Sequence, residues 1–152
     1  MTKLLLSVHV LAAILAVGSI TVAASMFPRY ALQALDGEGG RAAGVAALLH
    51  RVCRGYALAG LAVPVFGIAT AARLGVLGDA WLIASLLLTA LAAGLLAAVI
   101  LPGQRRLLDA GSGAEGARSR AARLSMLTGV FNLLWATVTV LMIVRPGSTT
   151  GA

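Results

Sequence analysis

The first apolar segment of the chain, residues 4–27, reads LLLSVHVLAAILAVGSITVAASMF and is followed by Pro28 and Arg29. A helix needs roughly 20 predominantly apolar residues to cross about 30 Å of hydrocarbon. This 24-residue segment meets that length, and it exceeds the roughly 7–15-residue apolar core of a secretory signal peptide. The sequence therefore predicts a retained membrane span that ends at Pro28, because the residue before a proline is disfavoured in helical geometry.

Three further apolar segments of similar length follow the first one. Charged residues make up only 11% of the 152 residues, and 60% are hydrophobic, whereas a soluble domain carries roughly a quarter charged residues. Pro64 should kink the second helix, and Pro102-Gly103 should end the third. We therefore predict an all-α membrane protein, a four-helix transmembrane bundle forming one domain over residues 1–152. Its spans are expected at about residues 4–27, 55–74 (with an interfacial helical extension from about residue 42), 80–101 and 124–144.

Small residues recur at spacings of three or four in the first and third segments. This pattern is typical of helix faces that approach closely in lipid. In the third segment it predicts a packing face that could also support a homo-oligomer or docking into a larger membrane complex. The residues are Ala12, Ala16, Ser19 and Ala23 in the first segment, and Ser85, Thr89, Ala93 and Ala97, with Ala90, Gly94 and Ala98 beside them, in the third.

Basic residues are unevenly distributed among the connections, and this predicts the orientation. Arginines gather after the first and third spans, whereas only Lys3, Arg73 and Arg145 lie near the other ends. Basic connections stay cytoplasmic, so we expect an antiparallel bundle with both termini extracytoplasmic. The preference for arginine over lysine, with much Ala and Gly, indicates a bacterial gene and hence the cytoplasmic (inner) membrane. The net charge is +7, but the sequence contains no nucleic-acid-binding motif. The expected partners are therefore the bilayer and anionic lipid headgroups.

His9 is the first candidate for a functional group. An ionisable residue inside a span is costly to bury and marks a functional site by default. The alternative is a neutral histidine that forms a hydrogen bond with a hydroxyl or carbonyl group of a neighbouring helix, and Thr137 and Thr139 should lie at similar depth. Both interpretations stay open.

Asn132 and Trp135 are the informative polar residues of the fourth segment. A buried amide seeks a partner in hydrocarbon, and Ser19 of the first helix should lie at matching depth. Asn132 either bonds across to that helix or, together with Trp135, contacts a ligand inside the bundle.

A second group of candidates lies at the predicted cytoplasmic boundary. Its arginines could bind a phosphate or lipid headgroup, or they could serve only to set the topology. His50 and Cys53 are weak candidates for a soft metal, in the spacing His50-x-x-Cys53. The headgroup candidates are Arg29, His50, Arg51, Arg54, Arg105 and Arg106.

The segment from His9 to Arg29 resembles an uncharacterised bacterial family of small four-helix integral membrane proteins. Their first span carries a histidine followed nine residues later by a glycine, as His9 and Gly18 do here. It is more distantly similar to the copper-resistance CopD and haem-biosynthesis HemJ proteins. The resemblance implies a candidate role for His9 and makes haem or copper the implied cofactors. A single haem could not use both histidines, because His9 should lie about 27 Å along the helix axis from the level of His50.

The functional hypotheses belong to three classes. The first is a small membrane protein that binds a lipophilic or cofactor-like ligand between its helices. The second is an integral membrane enzyme acting on an isoprenoid or tetrapyrrole at the interface, with Asp36 or Asp79 as the catalytic carboxylate. The third is a structural subunit of a larger complex. The five acidic residues all lie outside the predicted spans, which disfavours a proton-coupled transporter.

Overall fold

The computed structural model of the chain describes residues 2–37, 40–111 and 114–147, and this part is helical apart from short turns. α2 and α3 follow each other across a two-residue interruption, and a π-helical turn at Leu96–Ile100 joins α4 to α5. The described residues thus form four long helices that are long and apolar enough to cross a membrane. This confirms an all-helical chain with four candidate spans. The elements are α1 (Thr2–Leu35), α2 (Gly40–Ala59), α3 (Ala62–Leu74), α4 (Ala80–Leu95), α5 (Leu101–Leu108) and α6 (Ala117–Val144).

The first helix does not end at Pro28, and that expectation is wrong. α1 continues through Pro28 to Leu35, and α2 begins at Gly40, so much of the connection expected between the first two spans is helical. Proline removes one backbone hydrogen bond, but Phe27 and Ala31 on either side are buried in the main core. Their packing outweighs the local cost, as it often does for proline in membrane helices.

Pro102 and Gly103 do not end the third helix either. A π turn precedes them, in which the Leu101 N–H donates to the carbonyl of Leu96, five residues back. This wider turn shifts the hydrogen-bond register just before Pro102, and the helix continues as α5 to Leu108. α6 also begins earlier than expected, at Ala117. Gln104, expected in a polar connection, is consequently buried inside the bundle.

The helix expected to kink at Pro64 is interrupted one turn earlier, between α2 and α3. The Val63 N–H donates to the Gly60 carbonyl at 3.0 Å, a three-residue step, because Pro64 has no N–H to supply the usual four-residue bond. A Cβ atom on Gly60 would lie 3.7 Å from the Cβ of Ala16. The first helix therefore passes close to the interruption.

Three clusters of buried side chains hold the bundle together, and one of them joins Ala23 and Ala24 of α1 to Cys53 of α2. The main cluster joins Ile20 and Phe27 of α1 to Leu124 and Phe131 of α6. A smaller cluster, which includes Trp81, joins the end of α3 to the start of α4. We call the end near this smaller cluster the His9 end and the opposite end the Asp36 end. No residue of α1 before Ala16 is buried, so the first half of α1 belongs to none of the three clusters.

The small residues of the first and third helices have different surroundings. In α1, Ala16 and Ala23 are buried, as expected for a packing face. The third helix buries Ser85, which belongs to the expected stripe, and Ala92 and Leu96, which do not. Most of the expected small-residue stripe is therefore left unused within the chain. Its exposed members are Ala90, Ala93, Gly94, Ala97 and Ala98.

Candidate functional site

A cavity of about 1020 Å³ lies at the His9 end, between α1, α3, α4 and α6. The first half of α1 packs against α3, and the cavity separates this pair from α4 and α6, which pack against each other. Ile14 of α1 and Ile143 of α6 line it and are exposed, so the cavity is open between these two helices. Its volume is at the upper end of the roughly 300–1,000 Å³ typical of ligand pockets. Much of the wall is aliphatic, including Val10, Ala13, Val17, Val63, Leu86 and Val138.

His9 lines this cavity and is fixed by the opposite wall. Its Nδ1 atom lies 2.8 Å from the carbonyl oxygen of Val63. The ring rests on Gly67, where a Cβ atom would come within 2.9 Å of Cε1 and 3.1 Å of Nδ1. A carbonyl can only accept, so Nδ1 carries the proton, and in the neutral ring Nε2 keeps a lone pair. His9 can therefore accept a hydrogen bond from a ligand or coordinate a metal through Nε2.

The partner of His9 is a backbone carbonyl of a neighbouring helix, which was one of the expected alternatives. The two threonines considered at the same depth do not serve as its partner. Thr137 and Thr139 each donate to their own helix, to the carbonyls of Leu133 and Trp135, both at 2.9 Å. Sequence reasoning missed Gly67, whose lack of a side chain makes room for the imidazole ring.

Trp135 also lines the cavity, and it continues a polar face of α6. Its ring packs edge-to-face on Phe131, with centroids 6.2 Å apart. Trp135 Nε1, Asn132 Oδ1 and Thr128 Oγ1 are all buried without a hydrogen-bond partner in the described structure. Asn132 Oδ1 thus accepts no hydrogen bond from Ser19, the partner expected from the sequence, and neither residue lines the cavity. Each unpaired atom costs about 1–3 kcal/mol.

Arg145 lies where the cavity meets the end of α6, and sequence reasoning used it only to predict the orientation. Its backbone adopts a left-handed conformation with φ of 46°. The guanidinium lies 5.5 Å from the centroid of the Trp81 ring, and its Nε donates to the Met142 carbonyl at 3.3 Å. Trp81 is itself oriented by a 2.9 Å hydrogen bond from its Nε1 to Asp79. His9 and Arg145 are the ionisable residues among the described cavity walls.

A separate polar cluster lies away from this cavity and joins α2 to α5. Gln104 is fully buried there. Its Oε1 accepts a hydrogen bond from His50 Nδ1 at 2.9 Å, and its Nε2 donates to Cys53 Sγ at 3.6 Å. An amide thus separates the imidazole from the thiol. Within the described ranges, no group of three or more His, Cys, Asp or Glu side chains is placed to hold a metal ion.

The arginines proposed to bind headgroups are all exposed. Among them, Arg105 makes a weak contact of 4.0 Å with Asp109. Exposed pairs of this kind contribute little to stability. These side chains are free to contact lipid headgroups, and none of them lines the cavity; they are Arg29, Arg51, Arg54, Arg105 and Arg106.

Neither a protein-family model, nor a curated protein, nor a solved structure matches this chain. The resemblance of the first helix to the small bacterial membrane family therefore stays a prediction.

Proposed function

We propose that this chain is a multi-pass membrane protein that binds a lipophilic or cofactor-like ligand in the cavity at its His9 end. The observation that carries the proposal is the cavity itself, a largely aliphatic space of about 1020 Å³ that contains one fixed histidine. Apolar walls with a few placed polar groups are characteristic of small-molecule sites. The opening between α1 and α6 gives a ligand dissolved in the bilayer a direct route of entry.

The proposed setting is an antiparallel bundle in a bacterial cytoplasmic membrane, with the His9 end extracytoplasmic. Contacts support the arrangement, because Arg145 at the end of α6 meets Trp81 at the start of α4. At the Asp36 end, Arg118 near the start of α6 meets Asp36 after α1 at 3.6 Å. The distribution of basic residues, described above, supports the orientation through the positive-inside rule.

Native mass spectrometry of the protein released from lipid nanodiscs tests this proposal. We expect a co-purified ligand of defined mass, and an absorbance spectrum of the same sample reports whether it is a haem. Ala13→Phe places a ring in the cavity wall and should displace the ligand. Ala136→Phe makes the same change at an exposed position of α6 that does not line the cavity, and it should retain the ligand.

Two results would contradict the proposal. One is a protein that carries no ligand under conditions in which bulk lipid is still bound. The other is equal ligand occupancy in both phenylalanine variants, because it would place the ligand outside the cavity.

A further inference from the structure

We infer that the ligand is an anionic amphiphile with a single hydrocarbon chain and a carboxylate or phosphate headgroup. The headgroup binds Arg145, and the chain lies in the cavity alongside α1 and α3. This inference rests on the proposed function and specifies its ligand by chemical class.

Arg145 has no acidic partner in the described structure. The two ion pairs among the described residues, Arg105 with Asp109 and Arg118 with Asp36, do not involve it. Asp79 is the described acidic residue at this end, and its Oδ2 accepts the hydrogen bond from Trp81. Arg145 is thus a half-buried cation without a carboxylate within ion-pair distance in the described structure, and a guanidinium offers a bidentate site for carboxylate or phosphate.

Arg145 is also held in position by its neighbours. The Trp81 ring and the Met142 carbonyl fix the guanidinium from two sides, and the left-handed backbone at this residue turns the chain away from the axis of α6. A fixed cation loses less side-chain freedom on binding than a mobile one. Lys3 and Arg73, near the same end, are exposed and add to an electropositive surface that attracts anions.

The polarity of the cavity lining changes from its mouth to its interior. Arg145, Pro146 and Gly147 line it at the end of α6, whereas Val17 of α1 and Val63 and Pro64 of α3 line its deeper part. This is a charged mouth above an aliphatic interior. A lipid whose headgroup stays at the membrane surface would enter between α1 and α6 with its chain pointing inward.

Quenching of tryptophan fluorescence by brominated lipids tests the inference, because Trp135 lines the cavity. Three probes with the same dibrominated chain are titrated into the protein in phosphatidylcholine nanodiscs: a fatty acid, a lysophosphatidic acid and a neutral monoacylglycerol. We expect the wild-type protein to bind at least one anionic probe about tenfold more tightly than the neutral one, the size typical of one charge-assisted hydrogen bond. Which anion is preferred identifies the headgroup.

Arg145→Gln should remove this preference, and Arg145→Lys should keep part of it. Arg73→Gln removes a cation at the same end that does not line the cavity, and its preference should equal that of the wild type. Equal binding of all three probes by the wild type, or a preference that survives Arg145→Gln, would overturn the inference while leaving a lipid-binding cavity. Absence of quenching by every probe would overturn the inference, and the co-purification test above would decide separately whether the cavity holds a different ligand. A further outcome is quenching in nanodiscs that hold one copy of the protein and none in nanodiscs that hold two. That result would show that a second copy of the protein fills the cavity.

Discussion

The contact between His9 and Gly67 is the most constrained feature of the cavity at the scale of single residues. In Gly67→Ala, the new Cβ atom would lie 2.9 Å from His9 Cε1, so the imidazole must move away from the Val63 carbonyl. Overpacking of this kind costs about 1–3 kcal/mol. We therefore expect a lower free energy of unfolding in detergent titrations. The ¹⁵N chemical shifts of the His9 ring should also change as Nδ1 loses its acceptor.

Gly94→Ala is the matched control for this substitution. A Cβ atom on Gly94 would meet nothing within 4 Å, and alanine is favoured over glycine inside a helix by roughly 0.5–1 kcal/mol. Its free energy of unfolding should be unchanged or slightly higher, and the His9 signals should not shift. If the two alanine variants had equal stabilities and identical His9 spectra, Gly67 would not be the residue that admits the imidazole.

The residues that the sequence patterns identified differ in their chemistry from the residues that the patterns missed. His9 stands out because it is ionisable within an apolar segment, and the structure places it in a cavity wall together with Trp135. Gly67 could not be recognised, because one glycine among many gains its meaning only from a ring that arrives from another helix. Gln104 was assigned to a connection, since Pro102-Gly103 before it is a common helix terminator.

At the scale of the helices, the three internal prolines show why patterns predict helix existence better than helix ends. Pro28 and Pro102 were expected to end helices, yet both lie inside long ones, whereas Pro64 is associated with an actual interruption. The local chemistry of the three is the same. The difference lies in tertiary packing, with buried neighbours in α1 and a π turn before Pro102, which sequence spacing does not reveal.

The small-residue stripe of the third helix shows that sequence spacing also does not determine which helix face is buried within the chain. A repeat of small residues predicts close approach to some surface, but it does not specify whether that surface belongs to the same chain. Here α4 turns Ser85 and Ala92 inward and leaves Ala90 and Ala93 exposed. Only the positions of the other three long helices decide which face is buried.

The interruption between α2 and α3 gives a prediction at this scale. In Pro64→Ala, the restored N–H can donate to the Gly60 carbonyl, which now accepts from Val63 at 3.0 Å. We expect the two helices to become continuous and the Val63 carbonyl to shift relative to His9. Binding of the brominated probes should weaken about tenfold, equivalent to about 1.4 kcal/mol. The free energy of unfolding should not fall, because removing the proline restores a backbone hydrogen bond of the helix.

Ala72→Gly serves as the helix control for this variant. Ala62→Pro is not suitable, because it would introduce an additional proline. Ala72 is exposed in α3 and does not line the cavity, and this change should lower stability by roughly 0.5–1 kcal/mol without altering probe binding. If Pro64→Ala bound the probes as the wild type does, the interruption would not be what shapes the cavity.

At the scale of the whole molecule, the orientation in the membrane decides which compartment the charged mouth of the cavity faces. Leu77→Cys, in the turn between α3 and α4, should react with a membrane-impermeant maleimide on intact cells, because the His9 end is proposed to be extracytoplasmic. Ala110→Cys, after α5, should react only once the membrane is permeabilised. The wild-type protein is the control, since its single cysteine, Cys53, is fully buried and should stay unlabelled in both conditions. The reverse pattern would place Arg145 on the cytoplasmic side, where the ligand would have to come from the inner leaflet, and labelling of both sites on intact cells would contradict a single orientation.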